Sequence, residues 1–178
     1  MGPIKTTIVG SLPKPEWLSD PEQLRAPWRQ EGSALSQAQD DAVTLTLLAQ
    51  EQAGLDIICD GEQRRRHYIW GFIEKLGAVD FENPAKKQSR GQRYSEETPA
   101  PRVLEEWTWT EPVLLDALRF AKARTDRQVK VTLPGPMTVA DSVFDEAGGR
   151  SDADFAAAYA DLLNKEARAL SQAGADVI

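Results

Sequence analysis

The chain has 178 residues, of which 41% are hydrophobic and 28% charged, a composition that is ordinary for one globular domain. Its net charge of −7 disfavours nucleic-acid binding, because phosphate binding requires a basic face. No apolar run approaches the ~20 residues of a membrane helix, no secretion signal begins the chain, and Cys59 is its one cysteine. We therefore expect a cytoplasmic protein without membrane contact or internal disulfides.

Short apolar segments alternate with amphipathic ones along the chain, which is typical of an α/β protein with a parallel sheet. The pattern predicts a strand, a helix, a strand, two helices, a strand, a helix and a strand, at residues 5–9, 36–53, 56–59, 65–76, 112–124, 129–133, 152–173 and 176–178. Residues 77–111 separate the two successive helices as a polar, proline-containing insertion, in which residues 102–110 are predicted to form a strand of a hairpin.

An internal echo links two of the predicted helix-to-strand joints. Residues 53–58 read Ala-Gly-Leu-Asp-Ile-Ile, residues 173–178 read Ala-Gly-Ala-Asp-Val-Ile, and each follows a long amphipathic segment. We interpret residues 1–178 as the N-terminal half of a single (β/α)8 TIM-barrel domain, with about four β/α units, cut within the fourth strand. A complete barrel takes about 250 residues. The alternative is a small open sheet that a short last strand completes.

Two predicted strand ends carry polar residues, and ligands of parallel α/β proteins bind at the carboxyl ends of strands. Gly10 and Ser11 would admit a ligand to the backbone and offer a hydroxyl, although a plain turn also explains them. Asp60 and Glu62 are two residues apart and therefore point the same way on an extended chain. They suit an ammonium ligand or acid–base chemistry, or else they pair with residues 64–66.

The remaining candidates are a rigid loop, a cation and two potential metal ligands. Residues 134–136 (Pro-Gly-Pro) are predicted to form a stiff turn. This turn either helps to shape a ligand pocket or has a purely structural role. Arg90 lies in the insertion. Its guanidinium group is expected either to contact an anionic ligand or to remain in solvent. His67 and Cys59 do not supply the three or four ligands of the usual zinc site, so no metal site is expected within these 178 residues.

Together, these segments resemble the catalytic barrel of cobalamin-independent methionine synthase, in particular its short, single-barrel members. The resemblance is carried by residues 6–13 (Thr-Thr-Ile-Val-Gly-Ser-Leu-Pro), by residues 54–56 (Gly-Leu-Asp) with 60–62 (Asp-Gly-Glu), and by residues 129–136 (Val-Lys-Val-Thr-Leu-Pro-Gly-Pro). Their order and spacing match along the whole chain. Uroporphyrinogen decarboxylase and the coenzyme M methyltransferases share this fold but match the motifs less well.

The resemblance implies a methyltransferase that moves a methyl group from a methylated folate, of the 5-methyltetrahydrofolate type, to the thiolate of homocysteine. The family activates that thiol with zinc, because a coordinated thiol loses its proton at neutral pH. By position, Val9, Gly10 and Ser11 with Glu62 would hold the amino-acid part of homocysteine or methionine. Glu62 would pair with the ammonium group, and Asp60 is a secondary candidate.

The resemblance also implies a folate site and a zinc site. Arg90 and Gly91 would contact the folate, whereas Ser142 stands where the larger enzymes place a folate-stacking tryptophan, which leaves the methyl donor open. The family's zinc ligands and its Asp-Glu-Pro motif are expected beyond residue 178. The 178-residue chain by itself is therefore expected to be inactive and to bind no catalytic zinc.

Two alternatives remain at this point. One is a related barrel enzyme, either a lyase or decarboxylase or a thiol alkyl transferase of the coenzyme M or uroporphyrinogen type. A porphyrin enzyme needs arginines at its strand ends, where this chain has Ser11 and an acidic pair. The other is an inactive half-barrel. For the leading interpretation, the expected partners are small-molecule substrates.

Overall fold

The structure is a computed structural model that describes residues 4–23, 25–88 and 97–178. Its helices are α1 to α5, at Gly32–Gln52, Trp70–Ile73, Leu115–Lys122, Pro136–Ser142 and Asp152–Gln172. Its strands are β1 to β5, at Ile57–Ile58, Val79–Gln88, Glu97–Val103, Gln128–Val129 and Phe144–Asp145. The chain divides into a first unit (Met1–Tyr68, Leu114–Thr132, Ala167–Ile178) and a second unit (Ile69–Val113, Leu133–Glu166).

The first unit contains the parallel pairing that the alternating pattern predicts. Strand β1 runs parallel to β4, with Ile57 opposite Gln128, and Lys130 forms a parallel bridge with Val177. Side chains from both helices and strands are buried in this unit, among them Val43, Leu47, Ile58, Leu118, Val129 and Leu170. The α/β class is thus confirmed.

The echo in the sequence corresponds to a repeated structural joint in the first unit. The Asp56 carboxylate accepts hydrogen bonds from the Thr6 backbone N–H and hydroxyl, at 2.8 and 2.9 Å. The Asp176 carboxylate accepts a bond from the Val129 N–H at 2.8 Å and one from Lys122 Nζ at 2.9 Å. At each joint, a carboxylate accepts a hydrogen bond from the backbone of the neighbouring extended segment.

Two predicted outer strands of the first unit are wrong. Residues 5–9 form no strand, because the Thr6 carbonyl accepts from Ile57 N (3.1 Å) while the Thr6 N–H is taken by a carboxylate, so no ladder continues. The Val9 side chain is accordingly 95% exposed. Residues 176–178 make a single bridge, at Val177, instead of a strand.

The predicted strand 129–133 and helix 65–76 are both too long. Strand β4 ends at Val129, and the Thr132 carbonyl accepts a hydrogen bond from Arg65 Nη2 at 3.0 Å instead of joining a ladder. Of the predicted helix, residues 70–73 alone are helical, as α2. Residues 61–64 form a turn in which Gly61 and Glu62 have positive φ values, a conformation that no α-helix contains.

The second unit contains a three-stranded sheet. Strand β2 pairs antiparallel with β3, from Val79 opposite Val103 to Gln88 opposite Glu97, and β3 pairs parallel with β5. The insertion therefore forms a hairpin, but the predicted strand at 102–110 is wrong beyond Val103. The following segment is held by indole groups instead: Trp107 Nε1 donates to the Gly77 carbonyl at 3.0 Å.

A buried carboxylate also stabilises the second unit. Glu166 is fully buried, and its Oε2 accepts hydrogen bonds from Trp109 Nε1 at 2.8 Å and from Val113 N at 2.9 Å. This pair of bonds satisfies donors in a segment without regular secondary structure.

Across the described residues, none of the helices combines the length and apolar content that crossing a bilayer requires.

Candidate functional site

The centre of the candidate site is a turn in the first unit, directly after β1, that buries a carboxylate. Gly61 and Glu62 have φ values of 61° and 57°, so Glu62 lies in the left-handed region that costs a non-glycine residue of order 1–3 kcal/mol. The Asp60 Oδ1 atom accepts a hydrogen bond from Glu62 N at 3.0 Å and stabilises the turn. Glu62 is 6% exposed. A strained turn that buries a charged group is typical of functional sites.

The two oxygens of the Glu62 carboxylate have different environments. Oε1 accepts a 2.7 Å hydrogen bond from the Thr132 hydroxyl, and Arg65 Nη1 lies 3.9 Å from the same oxygen. Oε2 is buried and has no hydrogen-bond partner among the residues that the structure describes. A buried carboxylate oxygen without a partner is costly, so a donor from a ligand would stabilise it.

Gly10 approaches this carboxylate so closely that a side chain does not fit. A Cβ atom at Gly10 would lie 2.9 Å from Glu62 Oε1 and 2.9 Å from Thr132 Cγ2. The Gly10 carbonyl accepts a hydrogen bond from the Cys59 thiol at 3.4 Å. Gly10, Glu62 and Thr132, from three separate segments, thus meet at one point.

Ser11 lines a cavity of about 270 Å³ in the first unit. Its wall includes the basic or titratable side chains of Lys14, Arg66 and His67, together with Asp20. Burial lowers the pKa of Lys14, an effect that the nearby carboxylate of Glu62 partly offsets. The cavity wall therefore carries partly buried basic side chains, and Lys14 among them lies close enough to the acidic turn to feel its charge.

The structure brings some of the predicted site residues together. Gly10 and Glu62 lie side by side, Asp60 supports the Glu62 turn, and Ser11 lies at the adjacent cavity. The Val9 side chain points to solvent, which leaves its backbone as the part available to a ligand. Arg90 and Gly91 lie outside the described residues.

Two further predicted positions in the chain have local structural roles. Gly135 is the N-cap of α4, and Pro136 is its first residue, as the sequence of the rigid loop indicates. Sequence reasoning missed Thr132 as a site residue. It stands two positions before Pro134, and its place near the end of the third predicted strand was a signal that could have found it.

The described residues do not fit a zinc centre. No group of three histidine, cysteine, aspartate or glutamate side chains converges within this part of the chain. Burial raises the pKa of the Cys59 thiol, which favours the protonated form over a metal-binding thiolate. The His67 ring stacks on Tyr68, with 4.6 Å between the ring centroids.

Parallel strands with a buried acidic turn after their carboxyl ends define an α/β protein, a class whose ligands commonly bind at that edge of the sheet. The chain belongs to the family of cobalamin-independent synthases, because the model of that family's catalytic domain matches residues 4–178. The resemblance noted in the sequence is thereby confirmed.

Individual relatives agree with this assignment. The chain is 33% identical over 176 residues to a methionine synthase of Sulfurisphaera tokodaii and 35% identical to one of Thermococcus kodakarensis. Each match covers 98% of this chain, and 50% and 51% of the two relatives. The chain therefore spans about half the length of these curated relatives.

A solved structure supports the same family. A B12-independent methionine synthase from Shewanella sp. W3-18-1, in complex with selenomethionine, is similar with a TM-score of 0.86 and 37% identity. The similarity covers 96% of this chain and 49% of that one. A synthase from Listeria monocytogenes, described as putative, matches with a TM-score of 0.55 at 23% identity and supports the fold alone.

Proposed function

We propose that the chain binds the amino-acid part of homocysteine or methionine within a methyltransferase that moves a methyl group from a methylated folate to the homocysteine thiolate. The observation that carries this proposal is the buried Glu62 Oε2 atom, which has no partner among the described residues. An ammonium group donates up to three hydrogen bonds and carries the charge that a buried carboxylate needs. The α-ammonium of an amino acid is therefore the fitting ligand.

The neighbouring residues suit the same ligand. Because Gly10 has no side chain, its backbone packs directly against the carboxylate, and the backbone groups of Val9, Gly10 and Ser11 would contact the rest of the amino acid. Thr132 holds Oε1, which directs the other oxygen to the ligand. Support for this assignment also comes from the Shewanella synthase, whose structure contains selenomethionine.

The remaining parts of the proposal concern the domain, the co-substrate and the metal. Residues 1–178 would be the N-terminal half of one (β/α)8 catalytic barrel, a proposal supported by the match to about half the length of the relatives. Arg90 and Gly91 would contact the methylated folate. Because the described residues do not fit zinc, thiol activation is assigned to none of them.

Calorimetric titration of L-methionine into the wild-type chain and the Glu62→Gln variant tests the proposal. The amide keeps the shape but removes the charge, and hydrogen bonds to charged groups contribute about 1.5–3 kcal/mol. Affinity should therefore fall roughly ten- to a hundredfold. Glu105→Gln, which changes an exposed carboxylate, is the control and should bind like the wild type. Equal affinities for wild type and Glu62→Gln would refute the proposal.

A further inference from the structure

We propose that Lys14 binds the α-carboxylate of the same amino acid, so that the site selects ligands with both a free ammonium and a free carboxylate group. This inference rests on the proposed function, because it assumes that Glu62 binds the ammonium. It adds a specificity-determining residue on the far side of the ligand. Lys14 and Ser11 line the same cavity, which is the geometric basis of the proposal.

Hydrogen bonds hold the segment that carries Lys14 against the turn that carries Glu62. Leu12 N donates to the Gly61 carbonyl at 3.0 Å, and Gln63 Nε2 donates to the Leu12 carbonyl at 3.1 Å. These two bonds bracket Glu62 in sequence. The position of the Lys14 segment relative to the carboxylate is thus fixed before a ligand binds.

The charges around this point match those of a zwitterion. On one side, Asp60 and Glu62 bury two carboxylates. On the other, the cavity wall contains Lys14 and Arg66, and its one acid is Asp20, whose oxygens accept from Glu22 N at 3.0 Å and Gln23 Nε2 at 2.7 Å. The ammonium and carboxylate of an α-amino acid are attached to one carbon atom, so a site for both needs opposite charges side by side.

The electrostatic state of Lys14 supports its role. Burial lowers the pKa of this lysine, while the Glu62 and Asp60 carboxylates act in the opposite direction without cancelling the effect of burial. A partly buried ammonium gains more from an added carboxylate than an exposed one, because less water competes for it. When Glu62 is engaged by the ligand's ammonium, the ligand's own carboxylate becomes the available counter-charge for Lys14.

The test compares two ligands in two proteins by calorimetry. L-Methionine has the carboxylate and L-methioninamide lacks its charge, so the wild-type chain should bind methionine roughly tenfold more tightly or better. In Lys14→Met, which removes the charge and shortens the side chain by one atom, L-methionine should lose its advantage over L-methioninamide, whose affinity should stay unchanged. Lys14→Arg retains the charge and should recover part of the preference. Lys75→Met, at an exposed lysine, is the matched control.

Each outcome separates this inference from the proposed function. If wild type does not bind methionine, both are overturned. If wild type binds methionine and methioninamide equally, the role of Lys14 is refuted while ammonium binding stands, and this comparison needs no variant to fold. If Lys14→Met weakens both ligands equally, Lys14 maintains structure and does not read the carboxylate, which also overturns the inference.

Discussion

The Thr132 hydroxyl donates a 2.7 Å hydrogen bond to Glu62 Oε1, and this bond determines which carboxylate oxygen is left for a ligand. Arg65 Nη2 donates a hydrogen bond to the Thr132 carbonyl, and Arg65 Nη1 lies 3.9 Å from Glu62 Oε1. Arg65 therefore contacts both the residue that donates the bond and the residue that accepts it. The rotational freedom of the carboxylate is thereby restricted before binding, which lowers the entropy cost of association.

Thr132→Val should weaken methionine binding about five- to tenfold, because it removes one hydrogen bond, of about 1 kcal/mol, that positions Glu62. Thr132→Ser keeps the hydroxyl and should retain most of the affinity. Calorimetric titration of both variants provides the measurement. If the valine variant binds as tightly as the serine variant, the hydroxyl does not position the carboxylate.

Gly10→Ala should destabilise the fold by roughly 1–3 kcal/mol, the usual cost of overpacking a filled site. Its added methyl group meets Glu62 Oε1 and Thr132 Cγ2 at 2.9 Å, so methionine affinity should fall as well. Urea unfolding gives the stability change. Gly135→Ala is the control, since the nearest atom to a Cβ there lies 3.8 Å away. Comparable losses in the two variants would contradict the steric explanation.

Asp56 and Asp176 should make folding stability depend on pH in the acid range. Hydrogen bonds from Thr6 lower the pKa of Asp56, and those from Val129 and then Lys122 lower the pKa of Asp176. A depressed folded-state pKa contributes stability above the ordinary aspartate value of about 3.9, and the contribution is lost as the pH falls through the folded-state pKa.

Asp56→Asn and Asp176→Asn should therefore lower the melting temperature at pH 7, and the difference from wild type should shrink toward pH 2. Thermal melts across this range give the comparison, with Asp126→Asn at an exposed aspartate as the control. A difference from wild type that is independent of pH would show that ionisation of these carboxylates is not responsible.

Glu166→Leu should lower the free energy of unfolding by roughly 1–3 kcal/mol, because the N–H groups of Trp109 and Val113 lose their acceptor. Urea denaturation followed by tryptophan fluorescence measures the change. The exposed Asp161 on the same helix provides the control as Asp161→Leu. Unchanged stability in Glu166→Leu would mean that water satisfies both donors.

Local patterns predicted the long helices well and the ends of short strands poorly. Helix α5 spans Asp152–Gln172, against the predicted 152–173, because apolar spacing and a terminal glycine act locally. Residues 5–9 have strand-like composition, yet their pairing depends on what the Asp56 carboxylate does at Thr6, which lies far away in sequence. The composition of residues 5–9 therefore does not reveal that the Asp56 carboxylate takes the Thr6 N–H group.

The candidate site shows the same division. Glu62 and Gly10 could be named from their place after predicted strands, since strand ends share one edge of a parallel sheet. The sequence did not predict the left-handed φ of Glu62 or its hydrogen bond to Thr132, because both arise from contacts between segments that only folding brings together. Lys14 was passed over for the same reason: its burial depends on the surrounding cavity.

The paired joints at Asp56 and Asp176 have a consequence for recombining pieces of this molecule. Each joint contains a helix end, a glycine and a carboxylate that accepts a hydrogen bond from the adjoining backbone. The six-residue segments 53–58 and 173–178 are therefore equivalent positions at which two pieces of the chain could be joined. A chimera in which residues 173–178 replace residues 53–58 would keep the spacing between the end of the helix and the start of the next extended segment. The exchange would replace Leu55 and Ile57 by the smaller alanine and valine, and it would place the shared aspartate beside a different set of donors.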